Sequence, residues 1–210
     1  MERTTRIEEI KSLFGDNFIG IDELRMITSR FPIDITSFLP PIPYSVNELE
    51  QYAEDYILIL GSDRFHNNQT LNLLSLRKQF GVNPEISEPC FYNQDWYMAE
   101  EFMKKTLEVK WYLLKKEVFP DTRAELPDSI LNKNIHLPSA ILCAYTFFAF
   151  YFVRQEFLWS HDFIWCEDTD HNSDRIYIGR YNDIYGINKN GFNIHRHLSL
   201  RNCYGAINLI

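Results

Sequence analysis

Residues 140–153 read AILCAYTFFAFYFV and form the one membrane-like stretch of the chain. The stretch includes Thr146, is followed by Arg154, and is shorter than the roughly 20 residues that a membrane-spanning helix needs. Pro138, a residue favoured in the first turn of a helix, precedes it beside Ser139. We therefore predict a central helix that is buried on all sides.

The sequence on either side of this stretch indicates the fold class. After it, residues 162–167, 175–181 and 192–198 alternate with a period near two between turn-rich segments, which predicts an antiparallel meander. Before it, helices are predicted for residues 4–14 and 21–30. Helices followed by a run of strands are typical of an α+β fold. We predict an antiparallel sheet, mainly in the C-terminal half, packed on the central helix, with an N-terminal helical appendage.

A proline-rich connector marks the predicted internal boundary of the chain. Each proline fixes φ and biases its predecessor away from helix. The prolines concerned are Pro32, Pro40, Pro41 and Pro43. We predict a small appendage with its connector over residues 1–40 and one α+β domain over residues 41–210, which opens with a capping box between Ser45 and Glu48.

Four further elements are predicted between the connector and the central helix. The apolar run at residues 55–61 predicts a buried strand. Thr70 is the predicted N-cap of a helix over residues 71–80. A short helix is expected at residues 98–106 and a strand at residues 109–118.

Composition and charge limit the classes of partner. The chain has 29 acidic and 21 basic residues among its 210, a formal net charge of −8. Such a charge repels nucleic acids and anionic membranes at long range, so both are unexpected partners and a protein partner is favoured. The hydrophobic content of 45% and aromatic content of 15% indicate a packed core rather than disorder.

The cysteines indicate a reducing compartment. Cys90, Cys143, Cys166 and Cys203 are far apart, form no C-x-x-C pair, and accompany no secretory-signal pattern. We predict reduced thiols in a soluble cytoplasmic protein with no membrane association.

The acidic stretch at residues 166–174, CEDTDHNSD, is the first candidate site. Asp168, Asp170, Asn172 and Asp174 alternate as the oxygen ligands of a calcium loop do. Ser173 stands where such a loop has glycine, and Gly179 stands where it has a bidentate glutamate. The pattern fits either a divalent-cation site or a plain hairpin turn stabilised by local hydrogen bonds.

A pair of histidines on a predicted strand extends this candidate. His195 and His197 are two residues apart, so both rings would face one side of a strand and Arg196 the other. With Asp170 or Asp174 nearby they would form a set of two histidines and a carboxylate, which suits Zn²⁺ or Fe²⁺. An ordinary half-exposed strand face is the alternative interpretation.

Aromatic side chains form a second candidate site. Trp96 and Tyr97 lie in an aromatic-rich loop, and Trp165 lies on a predicted strand. If exposed, these rings would form a recognition patch, because aromatic residues are enriched at the centres of protein interfaces. Burial against the central helix is the alternative.

No sequence motif names a reaction. The chain has no G-x-S-x-G elbow, P-loop or G-x-G-x-x-G sequence. We therefore predict a non-catalytic protein that binds a partner. The alternative is a metal-dependent hydrolase, of the phosphodiesterase or nuclease type, in which the acidic stretch and the two histidines hold a divalent cation such as Ca²⁺, Zn²⁺ or Mg²⁺ and a metal-bound water attacks.

Overall fold

The chain has an α+β fold, as predicted. Its computed structural model describes residues 2–35, 39–181, 190–196 and 200–210. The helices are α1 (Glu2–Phe14), α2 (Ile21–Met26), α3 (Val46–Glu50), α4 (Leu73–Phe80), α5 (Pro127–Leu131) and α6 (Ala140–Arg154). The strands are β1 (Phe18–Ile19), β2 (Tyr56–Leu60), β3 (Trp111–Lys115), β4 (Phe163–Thr169), β5 (Arg175–Tyr181), β6 (Gly191–Arg196) and β7 (Tyr204–Gly205).

Helix α6 is the predicted central helix. Its residues from Ala140 to Phe150 are all buried. Ser139 is the N-cap and its hydroxyl accepts the Leu142 N–H at 3.3 Å, so Pro138 precedes the cap instead of lying in the first turn. The helix ends at Arg154 and is followed by the C-cap Gln155, whose φ of 60° is left-handed. Among the described helices, none is long and apolar enough to cross a membrane.

Two sheets flank this helix. The first has the order β1-β2-β3, in which β2 pairs with β1 in parallel and with β3 in antiparallel fashion. The second has the order β6-β5-β4-β7. Its β4, β5 and β6 form the predicted antiparallel meander, whereas β7 pairs with β4 in parallel, so the sheet is mixed.

Side chains of α6 contact both sheets and α4. The hydroxyl of Tyr145 donates to the carbonyl of Leu60 at the end of β2, at 2.9 Å. The ring of Phe147 lies 5.0 Å from that of Phe192 on β6. Phe148 stacks on Phe80 of α4 with 4.0 Å between ring centroids. Aromatic packing on opposite sides of one helix thus joins the two sheets into a single core.

The N-terminal segment contributes to the same core. Phe18 and Ile19 pair with Leu58 and Ile59 of β2, and Ile10 of α1 is fully buried in the cluster that contains α6. These contacts cross the predicted boundary near residue 40. The division of the chain at that point stays a prediction.

Several element boundaries differ from those predicted. Asn72, not Thr70, caps α4, because its side-chain oxygen accepts the Ser75 N–H at 2.9 Å. The helix expected at residues 98–106 is a single 3-10 turn, Glu101–Lys104. The helix expected at residues 21–30 ends at Met26. The capping box of Ser45 and Glu48 is confirmed at the start of α3.

Candidate functional site

The acidic stretch divides between a strand and a tight turn. Asp168 belongs to β4, and the chain reverses between Asp170 and Asp174, where the Asp170 N–H donates to the Asp174 carbonyl at 2.9 Å. Ser173 adopts a φ of 68°, the left-handed conformation that glycine would adopt most easily. The residue that departs from the calcium-loop pattern therefore takes the backbone conformation that glycine favours.

Asp168 is a buried carboxylate that touches the start of the central helix. Its side chain is 1% exposed. One oxygen accepts from Lys105 Nζ at 2.5 Å, and the other accepts the backbone N–H of Ala140 at 2.6 Å. A negative charge at this position also interacts favourably with the positive end of the helix dipole. Asp168 therefore joins β4 to α6.

Asp170 organises the turn and pairs with a strand residue. Its Oδ1 accepts the backbone N–H groups of Asn172 and Asp174, at 2.8 and 2.9 Å. Its Oδ2 accepts from the guanidinium of Arg196 on β6. Burial opposes ionisation of Asp170, but the bonds from Arg196 and from the two N–H groups outweigh it, so its pKa lies below the ordinary value. The residues Asn172 and Asp174 are themselves exposed.

The surroundings of His195 differ from those predicted. The ring centroid of His195 lies 5.5 Å from that of Tyr177 and 6.0 Å from that of Phe163. Arg196, which points to the opposite face of β6, is the residue that contacts Asp170. The structure therefore brings Arg196, instead of His195, to the acidic turn. His197 lies outside the described residues.

A donor cluster absent from the sequence prediction forms beside the turn. Ligand atoms of Glu100, Asp170 and His171 lie within 4.8 Å of one another, the one such triad found in the described part of the chain. Glu100 is buried and accepts the His171 backbone N–H at 3.0 Å, while its Oε1 lies 2.6 Å from His171 Nδ1. An open cavity of about 490 Å³ adjoins these residues. No spacing rule could find Glu100, since 71 residues separate it from His171.

The aromatic residues of the second candidate site do not form an exposed patch. Tyr97 and Trp165 are 1% and 4% exposed. Trp96 is half-buried, donates its indole N–H to the Ile194 carbonyl at 3.2 Å, and lies under the guanidinium of Arg196 at 4.9 Å. Packing, including a cation–π contact, accounts for the positions of Trp96 and Arg196.

An apolar groove lies on another face of the molecule. Its volume is about 730 Å³. It is lined by connector residues, by the start of β3, by the loop after α5 and by residues 209–210, among them Pro41, Pro43, Tyr44, Trp111, Leu131 and Ile135. Its polar lining residues are Lys110, His136 and Glu167. A mostly apolar concavity with a few polar groups is the usual form of a binding site.

Three of the cysteine side chains lack the lowered pKa of a catalytic thiol. Burial raises the pKa of Cys90 to about 11 and also raises the pKa of Cys166 and Cys203. A nucleophilic cysteine needs the opposite shift, because the thiolate is the reactive form. None of the four cysteines forms a disulfide bond.

Comparison with known proteins gives no further guidance. The sequence matches no protein-family model, and neither a curated protein nor a solved structure matches it. Function is therefore inferred from the geometry of the chain alone.

Proposed function

We propose that this protein is a non-catalytic binding protein whose apolar groove accepts an apolar segment of a partner protein. The observation that carries the proposal is the groove itself. Its floor includes Trp111 and Tyr112, which are nearly buried, and its rim includes Pro41 and Pro43, which are exposed. Aromatic and proline side chains offer apolar contact area at a low entropic cost.

The extent of the apolar surface favours a protein segment over a small molecule. Leu131, at the end of α5, lines the groove and is 42% exposed. Leu126, immediately before α5, is 60% exposed. Exposed apolar side chains thus stand at both ends of this short helix, and a partner chain could cover more of them than an enclosed small ligand could.

The polar rim fits a binding interface better than a reaction centre. Lys110 is paired with Glu108 at 3.0 Å, and both side chains are more than half exposed. Such rim charges contribute mainly to specificity and association rate. The unpaired cysteines support a reducing, cytoplasmic setting for this binding.

A synthetic peptide ligand tests the proposal directly. Peptides would be selected from a phage-displayed library on the immobilised full chain, and affinities measured by fluorescence polarisation. Leu131→Glu places a carboxylate in the groove and should weaken binding by about tenfold or more, because an apolar ligand would desolvate that charge. The matched control is Ile86→Glu, at a side chain that is 83% exposed and does not line the groove; it should leave affinity unchanged. Failure to enrich any peptide would reject the groove as a binding site. Equal affinity of the wild type, Leu131→Glu and Ile86→Glu for the peptide would also reject it.

A metal-dependent hydrolase is the second candidate, and the triad of Glu100, Asp170 and His171 is the observation that favours it. A cavity beside three donor residues could admit a metal-bound water and a substrate. Incubation with Zn²⁺ or Mn²⁺ and bis(p-nitrophenyl) phosphate would test this candidate. Hydrolysis that is lost in His171→Ala would support it, and absence of hydrolysis would reject a phosphodiesterase.

A further inference from the structure

We propose that Glu100, Asp170 and His171 form a binding site for a borderline divalent cation such as Zn²⁺. The site differs from the one predicted from sequence, because Glu100 and His171 take the places assigned there to Asp168, Asn172, Asp174, His195 and His197. It does not depend on the groove or on any catalytic activity.

The donor types and their placement support this assignment. The three ligand atoms, two carboxylate oxygens and one imidazole nitrogen, lie within 4.8 Å of one another. Zn²⁺ accepts such mixed ligands and commonly has three of them where one position stays open. The cavity of about 490 Å³ provides access for that remaining position.

The charge around the cavity also favours a cation. Its lining includes the carboxylates of Glu100, Glu101, Glu167, Asp168 and Asp170, and a single lysine, Lys105. Glu100 is 8% exposed at its side chain, so its negative charge is poorly screened by water. A divalent cation would enter a region of surplus negative charge.

Two of the ligands are already held in place. The Asn172 and Asp174 N–H groups fix Oδ1 of Asp170. The backbone N–H of His171 fixes Oε2 of Glu100, which leaves Oε1 beside Nδ1 of the same histidine. Such outer contacts orient ligands and usually raise metal affinity. In the metal-bound form Nδ1 would bind the cation and carry no proton, so the neutral ring would hold its one N–H proton on Nε2.

Arg196 gives the proposal a distinctive consequence. Its guanidinium contacts Oδ2 of Asp170 and thus occupies, as a cation, part of the site that Zn²⁺ would use. Replacing it with an uncharged residue should strengthen metal binding, whereas a purely structural cluster would show no such gain. The expected increase is about tenfold or more, since like charges repel strongly at this range.

The test is isothermal titration of Zn²⁺ into the purified full chain, with folding of each variant checked by circular dichroism. The wild type should bind one equivalent. Glu100→Gln and His171→Ala should each weaken binding by at least about tenfold, and Arg196→Met should strengthen it while Arg196→Lys matches the wild type. The control His136→Ala removes an exposed histidine outside the cluster and should change nothing.

Several outcomes would overturn the proposal. No binding by the wild type would do so, and so would equal loss in His136→Ala and His171→Ala, which indicates adventitious binding to surface histidines. Weaker binding by a folded Arg196→Met would also contradict it. If Arg196→Met does not fold, the comparison of Glu100→Gln with His136→Ala decides the matter.

Discussion

Asp168 accepts the backbone N–H of Ala140 at 2.6 Å, and through this bond a buried carboxylate of β4 holds the first turn of α6. The neighbouring Glu167 N–H donates to the Pro138 carbonyl at 3.0 Å, so two successive residues of β4 contact the start of the helix. The acidic stretch and the apolar stretch, the two most unusual segments of the sequence, are therefore in direct contact. Asp168 contributes to the stability of the fold whether or not its neighbours bind a metal.

The ion pair of Asp170 and Arg196 should make stability depend on pH. The pKa of Asp170 is lowered in the folded protein, so its charged form is favoured by folding. This contribution is fully present above the unfolded pKa of about 3.9 and is lost as pH falls through the lower folded value.

The variant Asp170→Asn should lose about 1–3 kcal/mol of unfolding free energy relative to the wild type at pH 7. The difference from wild type should shrink below about pH 4. Urea unfolding over a pH series measures it, with Asp174→Asn, an exposed carboxylate of the same turn, as a control expected within about 0.5 kcal/mol. A difference that stays constant down to pH 2 would contradict this role.

Removal of the Phe148 ring should show how far stability depends on the central helix. Phe148 is fully buried and stacks on both Phe80 and Phe91. Phe148→Ala should cost about 3–5 kcal/mol, the range for a large buried ring replaced by alanine. Ile86→Ala, at an exposed position, should change stability by less than about 0.5 kcal/mol. Similar losses of unfolding free energy in the two variants would contradict the position of Phe148 at the centre of the core.

Gly179 should not tolerate a side chain. A Cβ at this position would lie 2.4 Å from the Asp162 carbonyl oxygen, a contact with backbone that cannot move freely. Gly179→Ala should therefore cost about 1–3 kcal/mol or more. Gly81 provides the comparison, because its φ is +71° but no atom lies within 4 Å of a Cβ there. Gly81→Ala should cost only about 1 kcal/mol, and a larger loss than in Gly179→Ala would contradict the packing described.

Elements whose signal is local could be predicted from the sequence. Helix α6 follows from an apolar run that contains one polar residue, Thr146, and is preceded by Ser139, and β2 follows from a short apolar run that ends at Gly61. The strands β1 and β7 have two residues each. Their strand character depends on pairing with β2 and β4, which are remote in sequence, so no local pattern could reveal them.

The candidate site was predictable only in part, for a similar reason. The alternation along β6 places His195 and Arg196 on opposite faces, as expected. Which face meets the turn depends on the register of β6 against β5, where His195 pairs with Tyr177. A shift of one residue would exchange the two faces, and the sequence does not specify that register. The contribution of Glu100 depends on tertiary packing in the same way.

The free energy of unfolding of Asp168→Ala tests the central structural claim most directly. This variant leaves the Ala140 N–H without its acceptor and removes the ion pair between the buried Asp168 carboxylate and the half-exposed Lys105, so it should lose about 2–4 kcal/mol. Glu101→Ala is the matched control, because Glu101 is 85% exposed, pairs with Lys104 and lines the same cavity. It should lose less than about 1 kcal/mol. Equal and small losses in both variants would contradict the claim that Asp168 joins the acidic stretch to the central helix.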